Sequence, residues 1–382
     1  MNTPRPFAAV SRGVRSLSRD VLRLMALVLS AALVIVLLLM ALDWATPGAT
    51  GTAAPPKHPA KTVPPKSTTP KSPKPLAAAV PLGVYAGAGS PAAATVFAAD
   101  TGTTVHYALD YFDDTNWSTI SDPSWFLGRW AGTRFQMIFG VPMLPKTGAS
   151  LAAGARGDYN GLFATLAKVL IDNGQASAIL MPGWDPEDTS YPWGVSTTTE
   201  AEQYVAEFNQ IVATMRAVPG AQFQFVWDAS NSSNKVSPSA VYPGDAVVNV
   251  IATGSFDIGT GPAGQRWSEV AQSPYGVNWF DDFAVRHDKP FMIAEWGLAP
   301  TSAEGAGDDP LFVQDLLTWA SQRHVFAAVT WDYGTWAITG GAFPRSAALL
   351  RQLSTESVET PLSNVIESTA VSPSGRATGD GP

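Results

Sequence analysis

Cysteine is missing from all 382 residues, and histidine occurs only four times, at His58, His106, His287 and His324. The first absence excludes disulfides, thiolate nucleophiles and cysteine-held metals. No two histidines have the spacing of a zinc site, so no metal or other cofactor is expected. Neither a Gly-x-Ser-x-Gly elbow nor a phosphate-binding P-loop occurs. Cations are scarce as well. Between residues 82 and 352, 13 Lys and Arg face 26 Asp and Glu, a balance of −13. That balance excludes nucleic acid as a partner and favours neutral or basic ligands.

Charge is absent altogether from Leu24 to Leu42, a run of leucine, valine and alanine preceded by Arg5, Arg12, Arg15 and Arg19. The run has the length of a membrane span, and the basic residues 1–20 place its start in the cytoplasm. Residues 21–43 are therefore expected to anchor the chain in a lipid bilayer at the cell membrane. Cleavage around Ala45 to Ala53 is the alternative reading. Residues 44–81 are rich in Pro, Lys, Thr and Ala and read as a semi-extended spacer. Residues 353–382, rich in Ser, Thr, Glu, Gly and Pro, read as an unstructured tail.

One folded domain remains, 82–352, outside the membrane. Apolar runs recur along it at Leu82–Ala86, Val105–Phe112, Phe135–Leu144, Ala178–Asp185, Phe223–Ala229, Val247–Phe256, Phe291–Trp296 and Ala327–Tyr333. Helical patterns lie between them, such as Tyr159–Asn173, Glu200–Met215 and Leu311–Ser321. Continuous apolar strands alternating with amphipathic helices mean a parallel sheet covered by helices. Eight repeats make the fold class α/β, a closed (β/α)8 TIM barrel. Gly87-Ala88-Gly89-Ser90-Pro91-Ala92 loosely matches a dinucleotide-binding turn. It reads instead as an ordinary glycine-rich strand-to-helix turn, because the later strands end in acids and tryptophans.

Two of those strand ends carry the chemistry. Asp185 closes Ala178–Trp184, and Glu295 closes Pro290–Ala294. A charged side chain after a buried strand must emerge where it can be solvated or paired, which in a barrel is the catalytic mouth. Two carboxylates there are the apparatus of glycoside hydrolysis. Glu187, two residues past Asp185, is a second candidate for the acid/base. Twelve of the 13 tryptophans fall in the domain. Trp184, Trp193, Trp227, Trp296 and Trp331 lie at or near strand ends, where flat aromatic faces stack on pyranose rings. Trp193 and Trp331 are the preferred platforms. Asp110, beside Tyr107, Tyr111 and Phe112, and Asp228 are further candidates for binding hydroxyls. His106 lies mid-strand and is a weaker one.

The domain resembles glycoside hydrolase family 26, the β-mannanase group. Lys289-Pro290, an apolar stretch and Glu295-Trp296-Gly297 match the family's seventh-strand motif, and the resemblance implies Glu295 as nucleophile. Tyr242-Pro243-Gly244-Asp245 resembles the segment leading into the sixth strand, which adds Tyr242 to the substrate-binding set. Phe225-Val226-Trp227-Asp228 and Leu82-Gly83-Val84-Tyr85 also fit. The fourth strand departs from the family: Met181, Asp185, Glu187 and Asp188 stand where the pattern is Arg-x-x-x-Glu-x-Asn-Gly. Gly254 and Phe256 stand where it places Asp and Tyr. The resemblance implies a retaining glycosidase acting on an external β-linked polysaccharide. A carbohydrate-binding surface protein on the same barrel is the alternative. Sugar, linkage and oligomeric state do not follow from the sequence.

Overall fold

The computed structural model describes residues 80–230, 236–259 and 261–358. The expected anchor and spacer lie outside the described residues. Among those described, no helix is long and apolar enough to cross a membrane.

Eight parallel strands close into a barrel in sequence order. They are β1 (Leu82–Tyr85), β2 (Val105–Tyr111), β3 (Gln136–Val141), β4 (Ile179–Pro182), β5 (Gln224–Asp228), β6 (Val250–Asp257), β7 (Phe291–Leu298) and β8 (Ala327–Trp331). Closure sets β1 against β8, with Leu82 opposite Ala328 and Tyr85 opposite Trp331. All eight strands coincide with the runs expected from the sequence, trimmed or extended by a few residues. The trimmed ends are turn residues such as Gly183, Trp184 and Asp185, whose backbones leave the ladder.

Six longer helices cover the barrel: α1 (Pro91–Thr101), α2 (Asn160–Asp172), α3 (Thr198–Arg216), α4 (Val277–Arg286), α5 (Pro310–Arg323) and α6 (Pro344–Val358). Helix α3 starts two residues before its apolar pattern because Thr197 and Glu200 form a reciprocal capping box. It buries Ala201, Tyr204, Phe208, Ile211, Val212 and Met215, the 3–4 spacing of one helix face. Asp309 starts α5 by accepting from the backbone N–H of Leu311 and Phe312. Helix α6 runs on to Val358 and buries Leu353, so the fold continues past the expected boundary at 352. The β5-to-β6 crossing holds only a 3₁₀ turn, Pro238–Val241, among the described residues. Pro238, Pro243 and Gly244 break any longer helix there.

One strand departs from ideal pairing at the place that matters most. Thr253 of β6 pairs with Ile293 and Gly254 with Glu295, so Ala294 is an extra residue on β7. The register toward β8 shifts over the same residues. Such a bulge re-aims the side chains beyond it.

The helix layer also buries a carboxyl that the site does not use. Glu207 of α3 is 1% exposed, and neither carboxyl oxygen has a hydrogen-bond partner. It packs over Gly154, where any β-carbon would overlap it. Burial alone pushes its pKa up to about 9. Folded protein therefore holds a proton that the unfolded chain releases at ordinary carboxylate pH. Stability falls as pH rises from that range and the loss is complete above about 9. Glu207→Met is expected to flatten this slope and to raise unfolding free energy near pH 8 by roughly 1–3 kcal/mol, measured by urea denaturation across pH.

Candidate active site

The C-terminal ends of the strands surround a cleft of about 600 Å³, lined by Asp185, Glu187, Asp188, Asp228 and Glu295 together with Ser230, Gly254, Phe256, Ile258 and Val270. A second hollow of about 410 Å³ adjoins it, lined by Phe256, Trp331, Tyr333, Thr335, Trp336 and again Glu295. One half of the mouth is acidic and the other aromatic, and Glu295 and Phe256 belong to both.

Glu295 follows the bulge of β7 and receives a hydrogen bond on Oε1 from the Tyr111 hydroxyl at the end of β2. Tyr111 reaches it because β3 carries glycine at position 140. A β-carbon there would overlap the Tyr111 ring and press on Trp184. Burial, then the negative charge of Asp185, pushes Glu295 up to about 8, while the Tyr111 bond works the other way.

Asp185 stands three residues past β4 with φ +46°, a left-handed backbone that Asp tolerates better than most residues. Gly183, just before it, is left-handed too and leaves no room for a side chain against Met143. This double turn brings Asp185 back over the barrel. Burial, then Asp188, raises its pKa to about 6. Among the described residues no donor bonds its carboxylate. No described donor therefore stabilises its charged form, whereas Tyr111 stabilises that of Glu295.

Glu187 is buried, and its Oε2 accepts from the backbone N–H of Ser230 at 3.0 Å, tying the β4 loop to the end of β5. Burial raises it to about 7. Asp228 ends β5 and faces the same cleft. Burial, with Asp185, Glu295 and Glu187 around it, lifts its pKa well above the ordinary carboxylate range. Trp331 stacks on Tyr85 at 4.2 Å, and Tyr85 meets Tyr111 edge-on at 5.6 Å. Trp184 continues the wall, 4.8 Å from Tyr111.

The structure thus brings together Glu295, Asp185, Glu187, Asp228, Trp331 and Trp184. Six other expected site residues are corrected. Trp193 is 0% exposed and donates its Nε1 hydrogen bond to the Trp184 carbonyl at 2.8 Å, so it braces the wall and offers no platform. Trp227 is sealed among Phe280 and Phe283 of α4 and Tyr242. Trp296 is fully buried. Neighbours on a strand point to opposite faces, so Trp227 and Trp296 turn away when Asp228 and Glu295 turn in. Asp110 has no exposed surface; its carboxylate accepts from the Gly89 and Tyr111 backbones and the Trp130 indole. That makes it the clamp of the β1 turn. His106 is the second residue of β2, exposed at the end away from the mouth. Tyr242 bonds Asp245 in the segment entering β6 and packs on His287, also away from the mouth.

Sequence reasoning missed Tyr111, Tyr85, Tyr333 and Trp336. The signal for Tyr111 was present: it directly follows Asp110 at a strand end, and only one of two such neighbours can face inward.

No family model and no curated protein sequence matches this chain. Solved structures do share its fold. The Bacillus subtilis mannanase Man26 is 15% identical over 72% of this chain and 85% of its own, at a TM-score of 0.52. The YdhT protein of the same organism is 14% identical over 71% and 84%, at 0.53. A family 26 β-mannanase from Bacteroides ovatus is 14% identical over 73% and 89%, at 0.52. At such identities the likeness establishes the fold alone, a (β/α)8 barrel.

Because Tyr111 donates to the ionised form of Glu295, Tyr111→Phe is expected to raise the Glu295 pKa above its value in the native protein, read by ¹³C NMR titration of the labelled carboxyl. Gly140→Ala is expected to do the same by displacing the ring, with a stability loss of about 1–3 kcal/mol in thermal unfolding.

Proposed function

We propose that this barrel is a retaining glycoside hydrolase acting on a β-linked polysaccharide, with Glu295 as nucleophile and Asp185 as acid/base. The observation that carries the reading is the shared cleft. Two carboxyls from opposite sides of the barrel line it, one held by a tyrosine hydroxyl, beside an aromatic hollow fit for a pyranose ring.

In the first step a Glu295 oxygen bonds to the anomeric carbon as the bond to the leaving oxygen breaks. Asp185 delivers its proton to that oxygen. In the second step Asp185 takes a proton from water, the water oxygen bonds to the anomeric carbon, and the Glu295 carboxylate leaves. Tyr111 orients Glu295 and spreads its returning charge. The higher pKa belongs to Glu295, so in the empty cleft the shared proton rests there, and the reactive form is the one in which it has passed to Asp185.

Two carboxyls that repel each other titrate as a pair, with one proton shared between the two steps. The steps lie near the values of Asp185 and Glu295, about 6 and about 8. Below the lower one the nucleophile is protonated; above the upper one the acid is lost. Activity is therefore expected to follow a bell with its limbs at those two positions.

The uncharged run and basic flank before residue 44 support a membrane-anchored enzyme acting outside the membrane. The mannanases among the solved neighbours make mannan the first polymer to try. Reducing-sugar release from mannans, β-glucans and xylans tests the assignment. Glu295→Ala and Asp185→Ala are each expected to lower it by about 10²–10⁴-fold, and Glu187→Gln by less than about tenfold. An equal loss in Glu187→Gln and none in Asp185→Ala would move the acid/base role to Glu187. Release unaffected by Glu295→Ala would end the proposal.

A further inference from the structure

Among the described residues, the acidic half of the cleft is lined by carboxyls of Asp185, Glu187, Asp188, Asp228 and Glu295 and by no lysine, arginine or histidine. Four of them have an assigned task. Glu295 and Asp185 face the reacting bond, Glu187 holds the Ser230 backbone, and Asp188 accepts from the Ser190 N–H within its own loop. Asp228 has none. It is 4% exposed, lines the cleft, and its Oδ1 has no hydrogen-bond partner among the described residues. Its neighbour Trp227 is locked in the helix layer, so the carboxyl cannot turn away from the cleft without unpacking that layer.

A buried carboxyl without a donor is costly, and other acids around it raise the cost. A sugar hydroxyl supplies a hydrogen bond but leaves ionisation of the crowded carboxyls as unfavourable as before. An ammonium supplies both the donor and the opposing charge. The other half of the mouth, with Trp331 stacked on Tyr85 and Phe256 edge-on to Trp336 at 5.4 Å, offers flat apolar faces for a ring. A pyranose carrying a free amine satisfies both halves.

We propose that the cleft takes a polymer of de-N-acetylated amino sugars, with the ammonium of one unit seated against Asp228. This rests on the glycanase reading for the direction of the chain past Glu295, and it deepens that reading by naming a cationic substrate class. Among the described residues no group of three donors is arranged to hold a metal ion, so an inorganic cation is a poorer occupant.

Calorimetric titration of the full chain with glucosamine hexamer, N-acetylglucosamine hexamer and mannohexaose, near pH 6 and at low salt, tests it, with reducing ends counted in parallel. The glucosamine hexamer is expected to bind at least about tenfold tighter than either neutral hexamer. The preference is expected to shrink in high salt and in Asp228→Asn. Equal or tighter binding of mannohexaose would overturn the amino-sugar assignment, and cleavage of that hexamer would show the glycanase reading standing without it. Glucosamine binding that depends on Asp228, with no cleavage of any hexamer, would uphold the assignment and remove the hydrolase. An Asp228→Asn protein that folds and keeps the full preference would overturn the seat at Asp228. Should that variant not fold, the three hexamers compared on the native protein decide the substrate class alone.

Discussion

Crowding of like charge at one end of the barrel governs the rest of the site. Acids from the β4 loop, β5 and β7 converge where no described cation faces them. The protein relieves this in three ways: burial keeps protons on the groups, the Tyr111 phenol donates to Glu295, and the Ser230 backbone donates to Glu187. Each remedy leaves a group with a different proton affinity. Differences of that kind separate an acid from a nucleophile when both are carboxyls. The raised proton affinities and the hydrogen bonds that offset them are consequences of one crowded arrangement.

The strands were legible in the sequence because burial on both faces writes a continuous apolar run that few other structures require. The ends of those runs located Glu295, Asp185 and Asp228. What the runs do not encode is the inward face. Trp227 beside Asp228 and Trp296 beside Glu295 were both nominated together with their neighbours, yet a pleated strand admits only one of each pair to the cleft. Asp110 and Tyr111 show the same rule with the choice reversed. The acid turns into the β1 turn as a clamp, and the tyrosine faces inward to donate to Glu295. At the end of β8 the tryptophan wins: Trp331 lines the hollow, while Asp332 turns to hold Thr339.

A second kind of misreading concerned direction along the chain. His106 belongs to the beginning of its strand and Tyr242 to the segment leading into one, and in a parallel barrel all beginnings share one rim and all ends the other. Distance in sequence from a strand's last residue is therefore as decisive as residue type. Loop geometry was beyond reach for a different reason. The left-handed turn at Gly183 and Asp185 depends on the space left by Met143, and Tyr111 depends on an absent side chain at Gly140. Contacts between distant segments of that kind have no local signature.

The extra residue at Ala294 makes the chemistry a matter of phase. Beyond that bulge, β7 presents Glu295 to the cleft and keeps Trp296 within the protein. Removing Ala294 would restore unbroken pairing with Glu295 still opposite Gly254, so the two faces would keep their occupants and only the local twist that aims the carboxyl would be lost. Substitutions can tune this barrel gradually. A one-residue slip of β7 against β6 would instead bring Trp296 to the mouth and Glu295 into the packed layer in a single event, with the architecture of the remaining seven strands unaltered.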